Sequence, residues 1–317
     1  MLEKIEETYD RIKNTINQTP VMTSTTLNNI TNAECFLKLE NFQKTGSFKF
    51  RGAFNAVSCL SPEQKKRGVT THSSGNHAQA LSLAAKMEGV KVVVVMPENA
   101  PKIKVDATKG YGAEVVFCGT KPNDRENTTQ ELIDEFGYTL VHSSNELNII
   151  YGQSTATYEM IKEVGMLDYV FAPCGGGGLL SGTAIATKAL CPNAKVIGVE
   201  PKNADDAYRS FRDGKIYPSI NPNTIADGLR TSLGSNTFQI IRENVDNLIT
   251  ISEEQIVDAM EFLWSRMKLV IEPSGAVSLA GVLSKQIDLK SKKVGVIISG
   301  GNIDLTSFFE EIRKEVK

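Results

Sequence analysis

The segment YVFAPCGGGGLLSGTAIATKAL, residues 169–190, joins a short apolar run to a helical pattern through four consecutive glycines, Gly175, Gly176, Gly177 and Gly178. Backbone N–H groups at the start of a helix attract anions, and glycine lets a phosphate group approach them closely. The loop matches neither a Walker loop, which ends in Gly-Lys-Ser/Thr, nor the G-x-G-x-x-G dinucleotide motif. The order of strand, loop and helix therefore favours another kind of phosphate site over a merely flexible turn.

The same order of strand and helix recurs along the chain. Short apolar runs alternate with longer helical patterns, which is typical of α/β proteins with mostly parallel, twisted sheets flanked by helices. Ser61 and Ser252 are each followed three residues later by glutamine, a capping box that predicts a helix start. The predicted strands lie in CFLKL, VKVVVVM, AEVVFC, YTLVH, YVFAP, AKVIGVE, NLITI and KVGVIIS.

Length and continuity predict two domains. The chain has 317 residues, of which 41% are hydrophobic, and this exceeds what one core usually supports. There is no long linker or internal repeat, so the second domain must form by excursion and return of the chain. We expect a large domain from residues 1–61 and 146–317, which holds the phosphate loop, and a small domain from residues 68–145.

Charge and cysteine usage exclude several classes of function. A formal net charge of -2 gives no general attraction to nucleic acid, and no apolar stretch approaches the roughly 18 residues that span a bilayer. The five cysteines form no C-x-x-C pair, which favours reduced thiols and a cytoplasmic location. The N-terminal residues have the spacing of an amphipathic helix rather than a targeting peptide. We therefore expect a small-molecule partner, with no nucleic acid and no membrane.

Two further glycine-containing turns carry polar side chains. In THSSGNHAQ, residues 71–79, hydroxyls, an amide and an imidazole precede a helix and could bind a carboxylate, although ordinary helix caps have the same composition. In VIISGGN, residues 296–302, Ser299 follows an apolar strand. Three such turns in one α/β chain predict loops that converge at the carboxyl ends of the strands.

The segment KTGSFKFRGA, residues 44–53, places Lys49 between two phenylalanines. A lysine that loses solvation has a lowered pKa, and its amine then becomes a nucleophile toward an aldehyde. The alternative is a helix lysine whose charged end reaches solvent. A reactive amine together with a phosphate loop predicts pyridoxal 5'-phosphate as the cofactor.

Taken together, these motifs resemble the fold-type II pyridoxal-phosphate enzymes, in the branch that contains serine racemases and threonine dehydratases. The resemblance extends over KTGSFKFRGA, HSSGNHAQA, CGGGGLLSG, EPKNADD and SGGN, in the family's order. It implies a two-domain, tryptophan synthase β-like fold and a homodimer. It also leads us to expect no C-terminal regulatory domain of the kind that biosynthetic threonine dehydratases carry.

The resemblance also assigns the cofactor residues. It implies that Lys49 forms the internal Schiff base, that Phe48 lies beside the ring and that Asn76 contacts the ring hydroxyl. Residues 175–178 would hold the phosphate, and Ser299 would face the pyridine nitrogen. A neutral serine at that position does not favour a protonated ring, so racemisation or elimination is expected rather than transamination.

Ser74 distinguishes the two branches, because serine racemases read S-S-G-N-H where threonine dehydratases typically read S-A-G-N-H. Racemisation needs proton exchange on both faces of Cα, which the resemblance assigns to Lys49 and Ser74. The implied substrate-binding residues are Ser73, Ser74, Asn76 and His77.

The resemblance also implies a cation and a nucleotide. Glu200, the Ala204 carbonyl and Asp206 would bind Mg²⁺, or Ca²⁺ or Mn²⁺, although a solvated helix start is the alternative. ATP would act as an allosteric activator. Its predicted contacts are Ser24, Thr25, Lys44, Thr45, Gln79, Lys104, Tyr111 and Asn302.

The expected function is interconversion of L-serine and D-serine, with elimination of serine to pyruvate and ammonia. Two alternatives stay open, a catabolic threonine or serine dehydratase without significant racemisation and a catalytically silent ligand-binding protein. His142-Ser143-Ser144 stands where mammalian racemases have His-Pro-Asn, and Thr231 replaces a serine. These departures lie near the positions expected to set substrate preference.

Overall fold

A computed structural model describes residues 1–121, 123–306, 309, 310 and 313. Helices and strands alternate through most of this range. The strands are β1 (Val21–Met22), β2 (Glu34–Leu39), β3 (Val69–His72), β4 (Val92–Pro97), β5 (Glu114–Cys118), β6 (Thr139–Leu140), β7 (Tyr169–Pro173), β8 (Lys195–Pro201), β9 (Asn247–Ile251) and β10 (Lys293–Ile298). The helices are α1 (Leu2–Ile12), α2 (Thr25–Thr31), α3 (Lys49–Ser58), α4 (Pro62–Arg67), α5 (Asn76–Met87), α6 (Lys102–Gly110), α7 (Asp124–Phe136), α8 (Leu147–Val164), α9 (Gly178–Leu190), α10 (Asp206–Asp213), α11 (Ser235–Asn244), α12 (Glu253–Ser265) and α13 (Pro273–Leu283).

The strands form two sheets. The larger has the order β1-β2-β10-β7-β8-β9, and the smaller has the order β5-β4-β3-β6. All neighbouring strands in these sheets are parallel except β1 and β2. The predicted α/β class with mostly parallel sheets is therefore confirmed.

Each predicted apolar run contains a strand, and two strands were not predicted. The run YTLVH supplies only the two residues of β6. The missed strands are β1, with two residues, and β3, with the polar sequence VTTH. Neither offers a long apolar run, and β3 becomes buried only because β4 and β6 flank it. Both predicted capping boxes are present, at Ser61 and Ser252.

The smaller sheet lies within residues 69–140, inside the range predicted for a small domain, and the domain boundaries themselves remain a prediction. Its core reaches beyond that range, because Phe50 and Phe54 of α3 belong to the same buried cluster as Leu81 and Val94. Helix α3 therefore lies where the two sheets meet.

Parallel strands place the three glycine-containing turns at the carboxyl ends of β3, β7 and β10. Because β7 and β10 are neighbours in one sheet, the loop after Pro173 and the loop after Ile298 start side by side. In the described part of the chain, no helix combines the length and apolar character needed to cross a membrane.

Candidate active site

Lys49 is the first residue of α3 and is partly buried. Its Nζ donates a hydrogen bond to the Ser143 carbonyl oxygen at 2.7 Å and lies 5.2 Å from the centre of the Phe48 ring. Burial lowers the pKa of the Lys49 amine to about 8. About a tenth of this amine is thus unprotonated and nucleophilic at pH 7, far more than for an ordinary lysine.

The glycine loop is closely packed. A Cβ on Gly176 would lie 2.5 Å from Ser144 Oγ, and one on Gly175 would lie 2.9 Å from Leu229 Cα. Gly177 has φ +82°, a left-handed conformation that favours glycine. Within the described residues, no group accepts a hydrogen bond from the backbone N–H of Gly175, Gly176 or Gly177. These free donors precede the start of α9, as a phosphate site requires.

Ser299 is tied to the segment that carries Lys49. The Phe48 N–H donates to the Ser299 carbonyl at 3.0 Å, and Ser47 and Gly300 form an isolated antiparallel bridge. Ser299 is 3% exposed, and its hydroxyl donates to the Ser274 carbonyl at 3.3 Å. The structure therefore brings together Lys49, Phe48 and Ser299, three of the predicted cofactor residues.

Asn76 starts α5 and joins a polar network between the two sheets. Its Nδ2 donates to Glu272 Oε1 at 2.7 Å, and its Oδ1 accepts from Asn302 Nδ2 at 2.9 Å. The Asn302 amide also donates to the Thr45 carbonyl at 2.7 Å. Glu272 is 4% exposed, and its burial raises the pKa of the carboxyl to about 8.

The other predicted substrate residues surround the start of α5. Ser73 Oγ accepts a hydrogen bond from the Gly75 N–H at 3.3 Å. The Ser74 hydroxyl is partly exposed and makes no hydrogen bond to any other residue that the structure describes. His77 is buried, with Nε2 3.1 Å from the Val141 carbonyl, and its burial lowers the pKa of the imidazole to about 3. Ser74 is thus available to a ligand, whereas His77 is a neutral group of the core.

The predicted cation ligands lie at the end of β8, which contains Glu200, and in the turn that follows it. Glu200 accepts hydrogen bonds from the Ala207 and Tyr208 N–H groups at 3.0 and 2.7 Å, and both Asp206 carboxylate oxygens are buried without a partner. Burial raises the pKa of Asp206 to about 6 and that of Glu200 well above its ordinary value. Ala204 ends the intervening 3-10 turn. Among the described residues, no three or more His, Cys, Asp or Glu side chains form a preformed cluster able to hold a metal.

The predicted nucleotide residues are only partly brought together. Thr45 and Asn302 share the network around Asn76, and Gln79 is buried on α5. Lys104 instead forms an ion pair with Asp227 at 2.5 Å. The remaining residues lie at the start of α2 (Ser24 and Thr25), at the end of α6 (Tyr111) and in a 3-10 turn (Lys44).

Sequence reasoning found no sign of Glu272 and marked Ser143 only as part of an unusual tripeptide, although both contact predicted site residues. Glu272 precedes Pro273, the first residue of α13, which the sequence alone marks as an ordinary helix start. Ser143 contributes its backbone carbonyl, so its side chain gives no signal. Each becomes recognisable only from the folded contacts.

Residues 12–300 match the family described as pyridoxal-phosphate dependent enzyme. The chain belongs to this family. It is 50% identical over 310 residues to a serine racemase of Dictyostelium discoideum, covering 96% of each chain. It is also 49% identical to an L-threo-3-hydroxyaspartate ammonia-lyase of Saccharomyces cerevisiae, covering 94% of this chain and 92% of that one.

The crystal structure of serine racemase from Dictyostelium discoideum superposes with a TM-score of 0.93 and 49% identity, covering 96% of this chain and 99% of that one. The fold-type II assignment is therefore confirmed. The free N–H groups of the glycine loop, the space that side chains there would fill and the lowered pKa of Lys49 all fit pyridoxal phosphate.

Proposed function

We propose that this protein is a pyridoxal-phosphate-dependent serine racemase that also eliminates water from serine to give pyruvate and ammonia. The observation that carries the proposal is similarity along nearly the whole chain to a serine racemase, at 50% identity, with Lys49 and the glycine loop both present. The Ser74 hydroxyl, which lacks a partner among the described side chains, supports the racemase over a dehydratase.

Pyridoxal phosphate, when bound, supplies an electron sink for the bond that is broken at the substrate Cα. Residues 175–178 would hold its phosphate with their backbone N–H groups, and Lys49 would bond to its aldehyde carbon. Ser299 would lie at the ring nitrogen and Asn76 at the ring hydroxyl. Ser299 offers a neutral hydroxyl there, so this site does not impose a charged ring.

The chain's own groups would then move the protons. Once the substrate amine has replaced it at the aldehyde carbon, the free Lys49 amine, with its pKa of about 8, would accept a proton from one face of Cα. The Ser74 hydroxyl delivers a proton to the other face, and Ser73 and the N–H groups at the start of α5 hold the substrate carboxylate. If the substrate loses its β-hydroxyl as water before Ser74 has protonated Cα, the result is elimination instead of racemisation.

A second candidate is an ammonia-lyase acting on 3-hydroxyaspartate, favoured by the 49% identity to the yeast enzyme of that name. Ser144, in the position where mammalian racemases have asparagine, places its hydroxyl beside the glycine loop. A site with hydroxyl donors accommodates a second carboxylate better than an apolar one does.

Several finer assignments belong to the same proposal. Glu200, the Ala204 carbonyl and Asp206 would bind Mg²⁺, Ca²⁺ or Mn²⁺, because two buried carboxyls with raised pKa values favour a cation beside them. ATP as an activator and a homodimer follow from the family resemblance, and an open surface depression beside Asn302 exposes the apolar side chains of Phe42 and Val270. The free thiols of all five cysteines fit the cytoplasm.

One experiment tests the proposal. The purified protein is incubated with pyridoxal phosphate, Mg²⁺ and ATP, separately with L-serine, L-threonine and L-threo-3-hydroxyaspartate, and Lys49→Ala is the matched control. D-serine measured by chiral chromatography, together with pyruvate, is the expected result with L-serine. Keto-acid formation without D-serine makes the protein a dehydratase. Turnover of 3-hydroxyaspartate alone selects the second candidate, and no turnover of any substrate refutes the proposal.

A further inference from the structure

One short turn connects the smaller sheet to α8 and reaches three parts of the site. We call residues 142–145 the His142 turn. Its Ser143 carbonyl accepts the hydrogen bond from Lys49 Nζ at 2.7 Å. Its Ser144 side chain packs against the glycine loop, where a Cβ on Gly178 would lie 3.1 Å from Ser144 Cβ. The turn therefore sets the distance between the amine and the phosphate loop.

The fourth residue of the turn fixes it to α11. Asn145 Oδ1 accepts hydrogen bonds from the backbone N–H groups of Asn236 and Thr237 at 2.9 and 3.3 Å. The Asn236 side chain returns a hydrogen bond to the Asn145 carbonyl at 3.1 Å. The end of the turn is thereby anchored independently of Lys49.

The His142 imidazole organises the start of the same turn. Its Nδ1 accepts hydrogen bonds from the backbone N–H groups of Ser144 and Asn145, at 3.1 and 2.9 Å. An Nδ1 that accepts two hydrogen bonds carries no proton, so the ring is neutral, with its proton on Nε2. The Ser144 N–H belongs to the same peptide unit as the Ser143 carbonyl, and the Asn145 N–H belongs to the next unit. The two hydrogen bonds therefore hold the Ser143 carbonyl in place.

The surroundings of the imidazole favour this neutral form. The titratable groups that face it are His72 at the end of β3, Lys49 on α3, His77 on α5 and Glu146 directly after the turn. The His72 and His142 rings meet edge to face with centroids 6.3 Å apart. Burial, His72 and Lys49 together lower the pKa of His142 to about 4.

We propose that His142 is a positioning residue, whose unprotonated Nδ1 holds the Ser143 carbonyl as the hydrogen-bond acceptor of the Lys49 amine. The carbonyl stabilises the protonated amine, which burial alone would disfavour, and it orients Nζ whenever the amine is free. The inference rests on the proposed function only in taking Lys49 as the residue that binds pyridoxal phosphate.

The test measures the protonation of Lys49 without using turnover. The full chain, freed of cofactor, is mixed with pyridoxal phosphate in a stopped-flow instrument, and the rate of appearance of the bound-cofactor absorption band is followed against pH. Only the unprotonated amine reacts, so the midpoint of the profile reports the Lys49 pKa. The ionisations of pyridoxal phosphate itself affect all variants equally, so differences between the midpoints come from the protein.

His142→Phe keeps a ring of similar size but removes the acceptor, and we expect it to lower the midpoint by about one pH unit. His142→Asn restores an acceptor oxygen for the two N–H groups and should return the midpoint to the wild-type value. His72→Phe removes the neighbouring imidazole but neither hydrogen bond of the turn, and we expect it to leave the midpoint in place.

The proposal is overturned if His142→Phe keeps the wild-type midpoint and melting temperature. It is also overturned if His142→Asn shifts the midpoint as much as His142→Phe does. If His142→Phe does not fold, His142→Leu supplies the apolar comparison. Failure of the protein to convert serine leaves this readout intact, so the positioning role and the proposed function fail separately.

Discussion

The Arg51 guanidinium lies fully buried against the Glu40 carboxylate, with Nε 2.7 Å from Oε2 and Nη2 2.8 Å from Oε1. The guanidinium also donates two hydrogen bonds to the Glu159 carboxylate. Glu159 in turn forms an ion pair with Lys38 at 2.8 Å. Burial alone would raise the pKa of Glu40, but the Arg51 charge lowers it below its ordinary value. Because two cations face two carboxylates, the cluster fixes the start of α3, and with it Lys49, at the end of β2.

Arg51→Met should therefore destabilise the protein strongly. Removing one partner of a buried ion pair leaves carboxylates without a counter-charge, at a cost of about 3 to 5 kcal/mol. Chemical denaturation followed by circular dichroism measures this change. Arg212→Met is the control, because the Arg212–Asp213 pair is exposed and its loss should have little effect. Equal, small effects in both variants would contradict the role of the cluster.

Ser74→Ala should suppress racemisation more than elimination. If its hydroxyl delivers the proton on the second face of Cα, D-serine formation should fall by at least about 100-fold. Pyruvate formation should fall much less, because elimination needs a proton removed from one face only. Ser73→Ala is the comparison: the Ser73 hydroxyl accepts from the Gly75 N–H and is assigned to carboxylate binding, so its loss should lower both products in parallel. A parallel loss of both products in Ser74→Ala would show that Ser74 only binds substrate.

Mg²⁺ should raise the melting temperature, and Asp206→Asn should abolish this increase. The pKa of Asp206 is raised to about 6, so protons compete with the cation at low pH. The increase should consequently be larger at pH 8 than at pH 5. Asp205→Asn is the control, because Asp205 pairs with Arg209 at 2.9 Å and should not contribute. An increase that survives in Asp206→Asn would place the cation elsewhere.

Glu272→Gln should stabilise the protein at alkaline pH. Burial raises the pKa of Glu272 from 4.5 to about 8, so between these values the folded chain keeps a proton that the unfolded chain has lost. The contribution of the Glu272 carboxyl to the free energy of unfolding is fully present below pH 4.5 and is lost as pH rises toward 8. Glutamine has no such proton to lose and keeps an acceptor for Asn76.

Melting temperatures of Glu272→Gln and the wild type should accordingly agree near pH 5 and diverge near pH 8, with the variant higher. The exposed Glu254→Gln provides the comparison and should show no divergence. A constant difference across this pH range would mean that Glu272 does not titrate within it.

The sequence was sufficient for the parts of the site that depend on backbone and residue type. Gly177 needs a left-handed conformation, and Lys49 stands between phenylalanines, so both could be predicted from composition and order. Strand β3 was missed because its burial comes from β4 and β6 rather than from its own apolar content.

Glu272 and His142 could not be predicted, for a different reason. Glu272 contacts Asn76, which is 196 residues away, and its raised pKa results from burial that only the fold creates. His142 was recognised merely as part of an unusual tripeptide, while its role depends on two backbone N–H groups that any residues would supply.

The chain has three histidines: His77 and His142 lie beside Lys49, and the His72 ring meets the His142 ring. Their imidazole C–H protons resonate downfield of most other side-chain signals, so a proton NMR spectrum would carry active-site reporters at natural abundance. Cofactor binding, substrate exchange and cleft motion could then be followed without isotopic labels or introduced probes. Because histidine is scarce in this chain and clusters near the site, its resonances report on the site with little overlap from the rest of the protein.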